Sequence, residues 1–535
     1  MAIVSCERSP AYSSAEFFGD FNEGLRPTMT PALAIQTYES FESDKTKREA
    51  AEALLIAGEV DDIAYEYTKL FDEQGRPVSY ENEKKSLEDM MTRLRDPQEQ
   101  CDDEVAAATF MTVLFRYKEI EFLETVQQLN RCDISNEEQI FFMEKYRRLN
   151  EQLYGAPDPD IYDMLRGEVW SAIDSHVDSS DTVVMQIKSE LENGFSARGR
   201  DMAGLERGHK GIVRLTPEAA QWIREIIYEE YGAYFDLAKN YWEKVVVPRA
   251  EWQGVEPEFT GEELVDLFEL ALQLLDPEGT SGITIRTKPN NSNLSWNTPT
   301  MSVDVGMASR ATPVDSAEKA FGKLLHELLG HGRRTSAGAI SHLPVTGFGV
   351  FSKFLPGGNP DYLTVEEGIL TLLESIVCGE IDSGVASQWK SENVRHYLGI
   401  AMAELDARDT AERYELTWRY SVLVDLKPGQ NVTDKAIQKS KLTAARSNVR
   451  YKRSLPADMP EGYEYLTWHK DLAYALGRIK ATPLFQDIYE RRDKESLLNL
   501  FKTHTDPTNP YQNRLARLAG YPVTYSKLQV IPDAA

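Results

Sequence analysis

The segment His326-Glu327-Leu328-Leu329-Gly330-His331 holds two imidazoles and a carboxylate within one short stretch. A hydrolytic zinc needs three protein ligands and an open position for water, and a His-Glu pair followed by a second His supplies two ligands and a general base together. The common spacing of the two histidines is i, i+4. Here they are five apart, which on a regular α-helix turns the second ring about 140° away from the first. A turn widened by one residue, a π-bulge, restores the convergence, and Gly330 eases the backbone there. The six residues then form a widened metal helix, with His326 and His331 as ligands and Glu327 placed to polarise the water. The plain alternative is two core histidines bonded to backbone, but a charged Glu327 on an apolar helix is costly without a partner.

A third ligand has to come from another element. Glu366-Glu367-Gly368 lies downstream on an apolar helix expected over residues 365–377, and its two adjacent carboxylates compete for the role. Thr364 and Glu367 also stand at capping-box spacing, so Glu367 has a purely structural alternative as part of a helix start. His342 is a further candidate, in a loop with no helical scaffold to hold it. His176, His209, His396 and His504 have no motif context and default to structural roles.

The elements that must position these groups are mostly helical. Phe321, Leu324, Leu325, Leu328 and Leu329 give the metal helix a buried face, and Asp315 with Glu318 fits a capping box at its start. Upstream, residues 282–287 and 301–305 alternate and are β-branched, which predicts two strands joined through the turn-forming residues 290–293. The strand at 301–305 is either an ordinary core strand or a place where an extended substrate adds by backbone pairing. Helices are predicted over 217–245, entered through Thr216 and Pro217, and over 260–275, opened by Thr260 with Glu263 three residues on.

Residues 31–153 read as a charged helical array, with one apolar stripe at Ile63, Tyr67, Leu70 and Phe71 and another at Phe110, Val113, Leu114 and Tyr117. Turn-forming residues at 154–160 break the pattern, which resumes over 161–173. The fold class is mainly α with a small β-sheet (α+β). A boundary near residue 211 divides an N-terminal helical region, 1–210, from a catalytic domain, 211–535.

Composition narrows the function classes. The 535 residues are 41% hydrophobic, so the chain can bury large cores without a disulfide framework or a membrane. With 59 basic against 86 acidic residues the net charge is -27, which repels nucleic-acid phosphates and anionic lipid surfaces. Neither nucleic acid nor membrane is an expected partner. Cys6, Cys101, Cys132 and Cys378 are scattered, the N-terminus lacks the pattern of a signal peptide, and no long apolar run is present. A cytoplasmic location is the simplest expectation.

Several ordered pieces of the chain resemble the zinc tyrosine carboxypeptidase family, which includes microtubule-associated enzymes that trim tubulin tails and many uncharacterised bacterial members. The pieces are Leu153-Tyr154-Gly155-Ala156-Pro157, then His326 to His331 with Arg334, then Glu366-Glu367-Gly368-Ile369 with Glu374, and last Lys470-Asp471 with Tyr474 and Gly477. The resemblance implies a zincin-like metallopeptidase core in which His326, His331 and Glu367 bind Zn2+ and Glu327 is the general base. It also implies a carboxypeptidase that releases tyrosine or another aromatic residue from the C-terminus of a peptide or protein. For such a reaction Tyr474 is a candidate oxyanion donor, and Arg334, Arg450 and Lys470 are candidates for clamping the substrate carboxylate.

Two departures stand out. Leu-Leu-Gly precedes His331 where the animal members carry Gly-Thr, and no asparagine follows soon after Arg334. Leu-Leu-Gly-His is instead similar to dipeptidyl peptidase III, which has the same widened motif, so a zinc exopeptidase of that kind is the alternative enzyme. The non-enzymatic alternative is a helical scaffold whose zinc is structural and closed by a fourth ligand, His342 or Glu366.

Overall fold

A computed structural model of the chain describes residues 45–526, apart from 61–69, 73, 95–103, 132, 177–180, 197–212, 290–292, 299, 309–312, 340–343, 348, 350–361, 382–390, 427–430, 453 and 457–458. The architecture is mainly helical with one small sheet, as composition and periodicity predict. None of the described helices is long and apolar enough to cross a membrane.

Helices Lys45–Ala57, Glu81–Leu94, Glu104–Leu129 and Asn136–Tyr154 make up the first part of the chain. The second apolar stripe is realised on Glu104–Leu129, where Val113 is fully buried and Phe110 and Tyr117 pack at the edge of the core. The first stripe is not a helix face where it is described. Ile63 and Tyr67 lie outside the described residues, and Phe71 forms an isolated bridge with Pro77. Asp72 turns the chain there: its carboxylate accepts from the Gln74 and Arg76 amides, and its own N–H reaches the Arg76 carbonyl. The expected break at 154–160 separates Asn136–Tyr154 from Pro159–His176.

Among the described residues three hydrophobic cores are found, and residue 211 lies outside the described residues. One core draws only on residues downstream, from Leu215 to Val523, and includes Leu324, Leu325, Leu328 and Leu329. A second packs Tyr162, Leu165 and Leu191 against Leu398, Leu423 and Leu476. A third packs Phe122, Tyr146 and Leu153 against Leu455, Leu466 and Trp468. The segment after residue 391 thus returns to the N-terminal helices, so the 1–210 and 211–535 regions share two of their cores. Amphipathic periodicity marks a buried face without naming its partner.

The sheet has three strands, β1 Thr284–Lys288, β2 Leu294–Asn297 and β3 Ser302–Gly306, in the order β1-β3-β2. β1 pairs with β3 in parallel and β2 pairs with it antiparallel. β2 is a strand that the periodicity of the sequence does not announce, being only four residues long. β3 is the central strand, with every residue buried and both edges already paired. It therefore has no edge for an extended substrate, and of the two readings of 301–305 the core strand is the one that holds.

Two helix starts test the capping patterns. Thr260 and Glu263 form a complete capping box for Gly261–Leu275. At the metal helix the cap is Ser316 and not Asp315: the Ser316 hydroxyl accepts from the Lys319 amide at 3.2 Å, while Asp315 lies outside the helix and pairs with the Lys319 ammonium at 2.7 Å.

Candidate metal centre

The helix begun at Ala317–Lys323 widens into a π-helix over Leu324–Gly332 and tightens again into Arg333–Ala339. Hydrogen bonds of the i→i+5 kind bring residues five apart onto one face. The expected single bulge is therefore a nine-residue π segment that contains the whole motif. Gly330 makes this possible, because a Cβ there would sit 2.5 Å from the Leu370 side chain and 2.7 Å from the Leu325 carbonyl oxygen. All nine residues are buried, and the rings of His326 and His331 lie 5.1 Å apart between centroids.

Helix Tyr362–Val377 faces this segment and contributes Glu367. Nε2 of His326 lies 3.6 Å from Glu367 Oε2, and Nε2 of His331 lies 3.8 Å from Glu367 Oε1. The three donor groups fall within 4.8 Å of one another and could hold a metal ion. Two histidines with one glutamate is a donor set of hydrolytic zinc, which these residues would hold. The capping alternative for Glu367 does not hold, since the helix is already under way at Tyr362 and Thr364 lies inside it.

The other ring nitrogens are turned towards carboxylates. His331 Nδ1 is 2.5 Å from Glu366 Oε1, and His326 Nδ1 is 3.3 Å from Glu374 Oε2. Lys323 in turn holds the second oxygen of Glu374 at 2.8 Å. The carboxylate bonded to His331 Nδ1 favours the tautomer that leaves Nε2 of that ring for the metal and raises its basicity. Of the two adjacent glutamates, Glu367 thus joins the donor set and Glu366 stands behind His331.

Electrostatics follow from burial and these partners. Burial raises the Glu327 carboxyl above its ordinary value, with His326, His331 and Lys323 pulling against it. Burial works against charge on Glu366, but His504, His331 and Arg334 outweigh it and hold that carboxyl well below its usual range. For His326, burial lowers the pKa, yet Glu327, Glu367 and Glu374 outweigh it and raise the imidazole to about 10. His331 is raised too, by Glu366 and Glu367 against burial.

A pH dependence of metal binding follows. The raised His326 imidazole stays charged at pH 7 without metal, so metal must displace its proton, and apparent affinity should rise with pH by up to about tenfold per unit for that proton. Calorimetry of zinc addition in buffers of different ionisation enthalpy should record proton release near pH 7. Uptake with no released proton and no pH dependence would contradict this assignment.

Helix Leu472–Arg491 backs the glutamate helix at a glycine pair. A Cβ on Gly368 would sit 2.6 Å from Gly477 Cα, and one on Gly477 would sit 2.7 Å from Gly368 N and still closer to the Thr364 carbonyl oxygen. The backbone of Glu367 is therefore seated directly beside a helix crossing without side chains.

The proposed substrate-facing cations are placed differently from one another. Arg334 is buried, with Nε donating to the Thr503 carbonyl at 2.7 Å and Nη2 to the Thr505 carbonyl at 3.4 Å. Its guanidinium holds the segment around His504 in place. Arg450 is gripped by both oxygens of Asp471, at 2.5 and 2.7 Å, and lies over the Tyr474 ring at 5.9 Å. The Lys470 ammonium lies over the Trp468 ring at 5.6 Å.

The sequence assigned no site role to two residues beside the donor set, Glu374 and His504. Glu374 stands two turns after Glu367 on the same helix face, a spacing legible in the sequence. His504 is 138 residues from Glu366, to which it bonds at 2.7 Å, and nothing local to it signals that contact. His396 is buried edge-on against Tyr451, consistent with a structural role. His342 lies outside the described residues, as does His209. Comparison of the chain with protein-family models, with curated proteins and with solved structures finds no match in any of the three.

Proposed function

We propose that the chain is a zinc metallopeptidase that acts as a carboxypeptidase and releases a C-terminal tyrosine or other aromatic residue. The observation that carries this reading is the π-helix, which brings His326 and His331 together opposite Glu367 with Glu327 alongside. A closed structural site is less well supported, because Glu366 has both oxygens engaged by His331 and His504. The choice of carboxypeptidase rests on the family resemblance described above.

Zinc, when bound by His326, His331 and Glu367, supplies Lewis acidity that lowers the pKa of water and polarises the scissile carbonyl. Glu327 accepts the proton of the attacking water and passes it to the departing amine, a transfer suited to its raised pKa. Tyr474, on the helix that backs Glu367, is assigned as a hydroxyl donor to the developing oxyanion. Lys470 and Arg450, the latter also paired with Asp471, are assigned to the substrate carboxylate; a preference for a terminal aromatic residue further requires an apolar pocket beside them. The net charge of -27 disfavours strongly acidic tails as substrates.

Matched peptides ending in tyrosine, offered as free acids and as C-terminal amides, test this reading. Amidation removes the charge that the clamp reads and leaves the scissile bond intact, so kcat/KM should fall roughly 10–100-fold. Equal cleavage of both forms, or internal cuts, would point to an endopeptidase. Release of N-terminal dipeptides would favour the dipeptidyl peptidase alternative.

A further inference from the structure

We propose that His504 is a positioning residue of the metal site: it takes one oxygen of Glu366 while His331 takes the other, which keeps that carboxylate off the metal and leaves Glu367 as the carboxylate ligand. This assignment rests on the reading of His326, His331 and Glu367 as metal ligands. Two neighbouring glutamates on one helix are close rivals for a cation, and an extra carboxylate at the metal would occupy the position that water needs. Each oxygen of Glu366 is held by an imidazole, which fixes the carboxylate in that orientation. Its Oε1 is 2.5 Å from His331 Nδ1 and its Oε2 is 2.7 Å from His504 Nδ1.

The loop that delivers His504 is pinned at several points. Arg334 donates to the carbonyls of Thr503 and Thr505, on either side of the histidine, and its Nη1 lies 3.8 Å from Glu366 Oε1. The His504 amide donates to the Thr346 carbonyl at 2.8 Å. The hydroxyls of Thr503 and Thr505 meet at 3.0 Å, and the Asp506 amide donates to Gln512 Oε1 at 2.7 Å. His504 itself is 3% exposed. Its Nε2 lies 2.9 Å from the Thr335 hydroxyl, which also lies 2.9 Å from the His331 carbonyl oxygen. The residue thus contacts both helices of the metal site, the one that carries Glu366 and the one that carries His331. Ordering an irregular segment so tightly costs conformational entropy, and what that ordering secures here is the orientation of one imidazole.

Two conservative variants of the full chain separate this role from simple filling of the core. His504→Asn places an amide near the position of Nδ1 and keeps a donor for Glu366. His504→Gln places it near Nε2 and keeps the Thr335 contact instead. Zinc affinity by chelator competition and the visible spectrum of the Co2+-substituted protein are the readouts. His504→Asn should stay within about twofold of the unaltered affinity with its spectrum unchanged. His504→Gln should lose roughly 10–100-fold in affinity and show a spectrum of altered coordination. On a Glu366→Gln background the difference between the two variants should vanish, because the partner through which His504 acts has been changed. The reverse order of the two variants, equal behaviour of both, or a difference that persists on the Glu366→Gln background would overturn the proposal. Failure of the unaltered chain to bind zinc would overturn the metal-site reading beneath it, and is told apart because it precedes any substitution.

Discussion

Glu327→Gln should leave zinc bound at its unaltered stoichiometry while peptide hydrolysis falls by roughly 10²–10⁴-fold, the usual contribution of a positioned general base. The amide keeps the size and hydrogen-bonding reach of the carboxylate but cannot accept the proton of the attacking water. Glu327 is buried on the π-helix beside His326 and outside the donor set, so its charge is not needed to hold the metal. Removal of its negative charge should, if anything, lower the raised pKa of His326, to which it is the leading upward contributor. Glu367→Ala makes the contrast, because it removes a donor and should lower zinc occupancy and hydrolysis together. Metal content and turnover measured on the same preparations check both outcomes. Loss of metal in the Gln variant would mean that Glu327 is a ligand, and loss in Glu366→Ala but not in Glu367→Ala would move the ligand by one residue.

Gly477→Ala should damage both the fold and the metal site although residue 477 is not one of the candidate ligands. An added Cβ would meet backbone on every near side: the Thr364 carbonyl oxygen, Gly368 N at 2.7 Å and Gly368 Cα at 2.9 Å. None of these atoms can rotate away, so the two helices must separate, and overpacking of this kind costs about 1–3 kcal/mol or more. Gly368 follows Glu367, so the separation is transmitted to the carboxylate ligand, and a shift of about 1 Å at a site of this kind can cost on the order of 10²-fold in rate. Denaturant unfolding of the metal-free protein should show the stability loss, and zinc titration should show weakened binding. Unaltered values of both would mean that the helix crossing yields without strain.

Much of the centre was legible in the sequence because its main parts are local. Two histidines and a glutamate within one turn, at a spacing that a regular helix cannot use, imply a widened turn, and the π-helix Leu324–Gly332 is that turn. The same holds for the Thr260 capping box and for the apolar face of the metal helix, which depend on residues three or four positions apart. The misses share the opposite character. The cap expected at Asp315 falls one residue later, at Ser316, because the helix begins at Ala317. The four residues of β2 are too few to show alternation, and they become a strand by pairing with β3.

The landmarks behind the family resemblance illustrate the same division. In the sequence they are separate short pieces, and in the fold they touch. Gly155 offers its carbonyl to His469 Nδ1 at 2.5 Å, next to Lys470 and Asp471, and Tyr154 packs edge-on against Trp468. Gly368 meets Gly477. By itself the sequence determined the donor types, the helix that carries two of them, and the need for a widened turn, since each is a matter of side-chain chemistry and helical period. Tertiary structure alone decided which glutamate faces the metal position, that Arg334 supports a loop, and that a histidine 138 residues from Glu366 stands behind it. The physical reason is that a carboxylate's role is set by which donors reach its oxygens, and those donors come from chain segments whose approach no local pattern encodes.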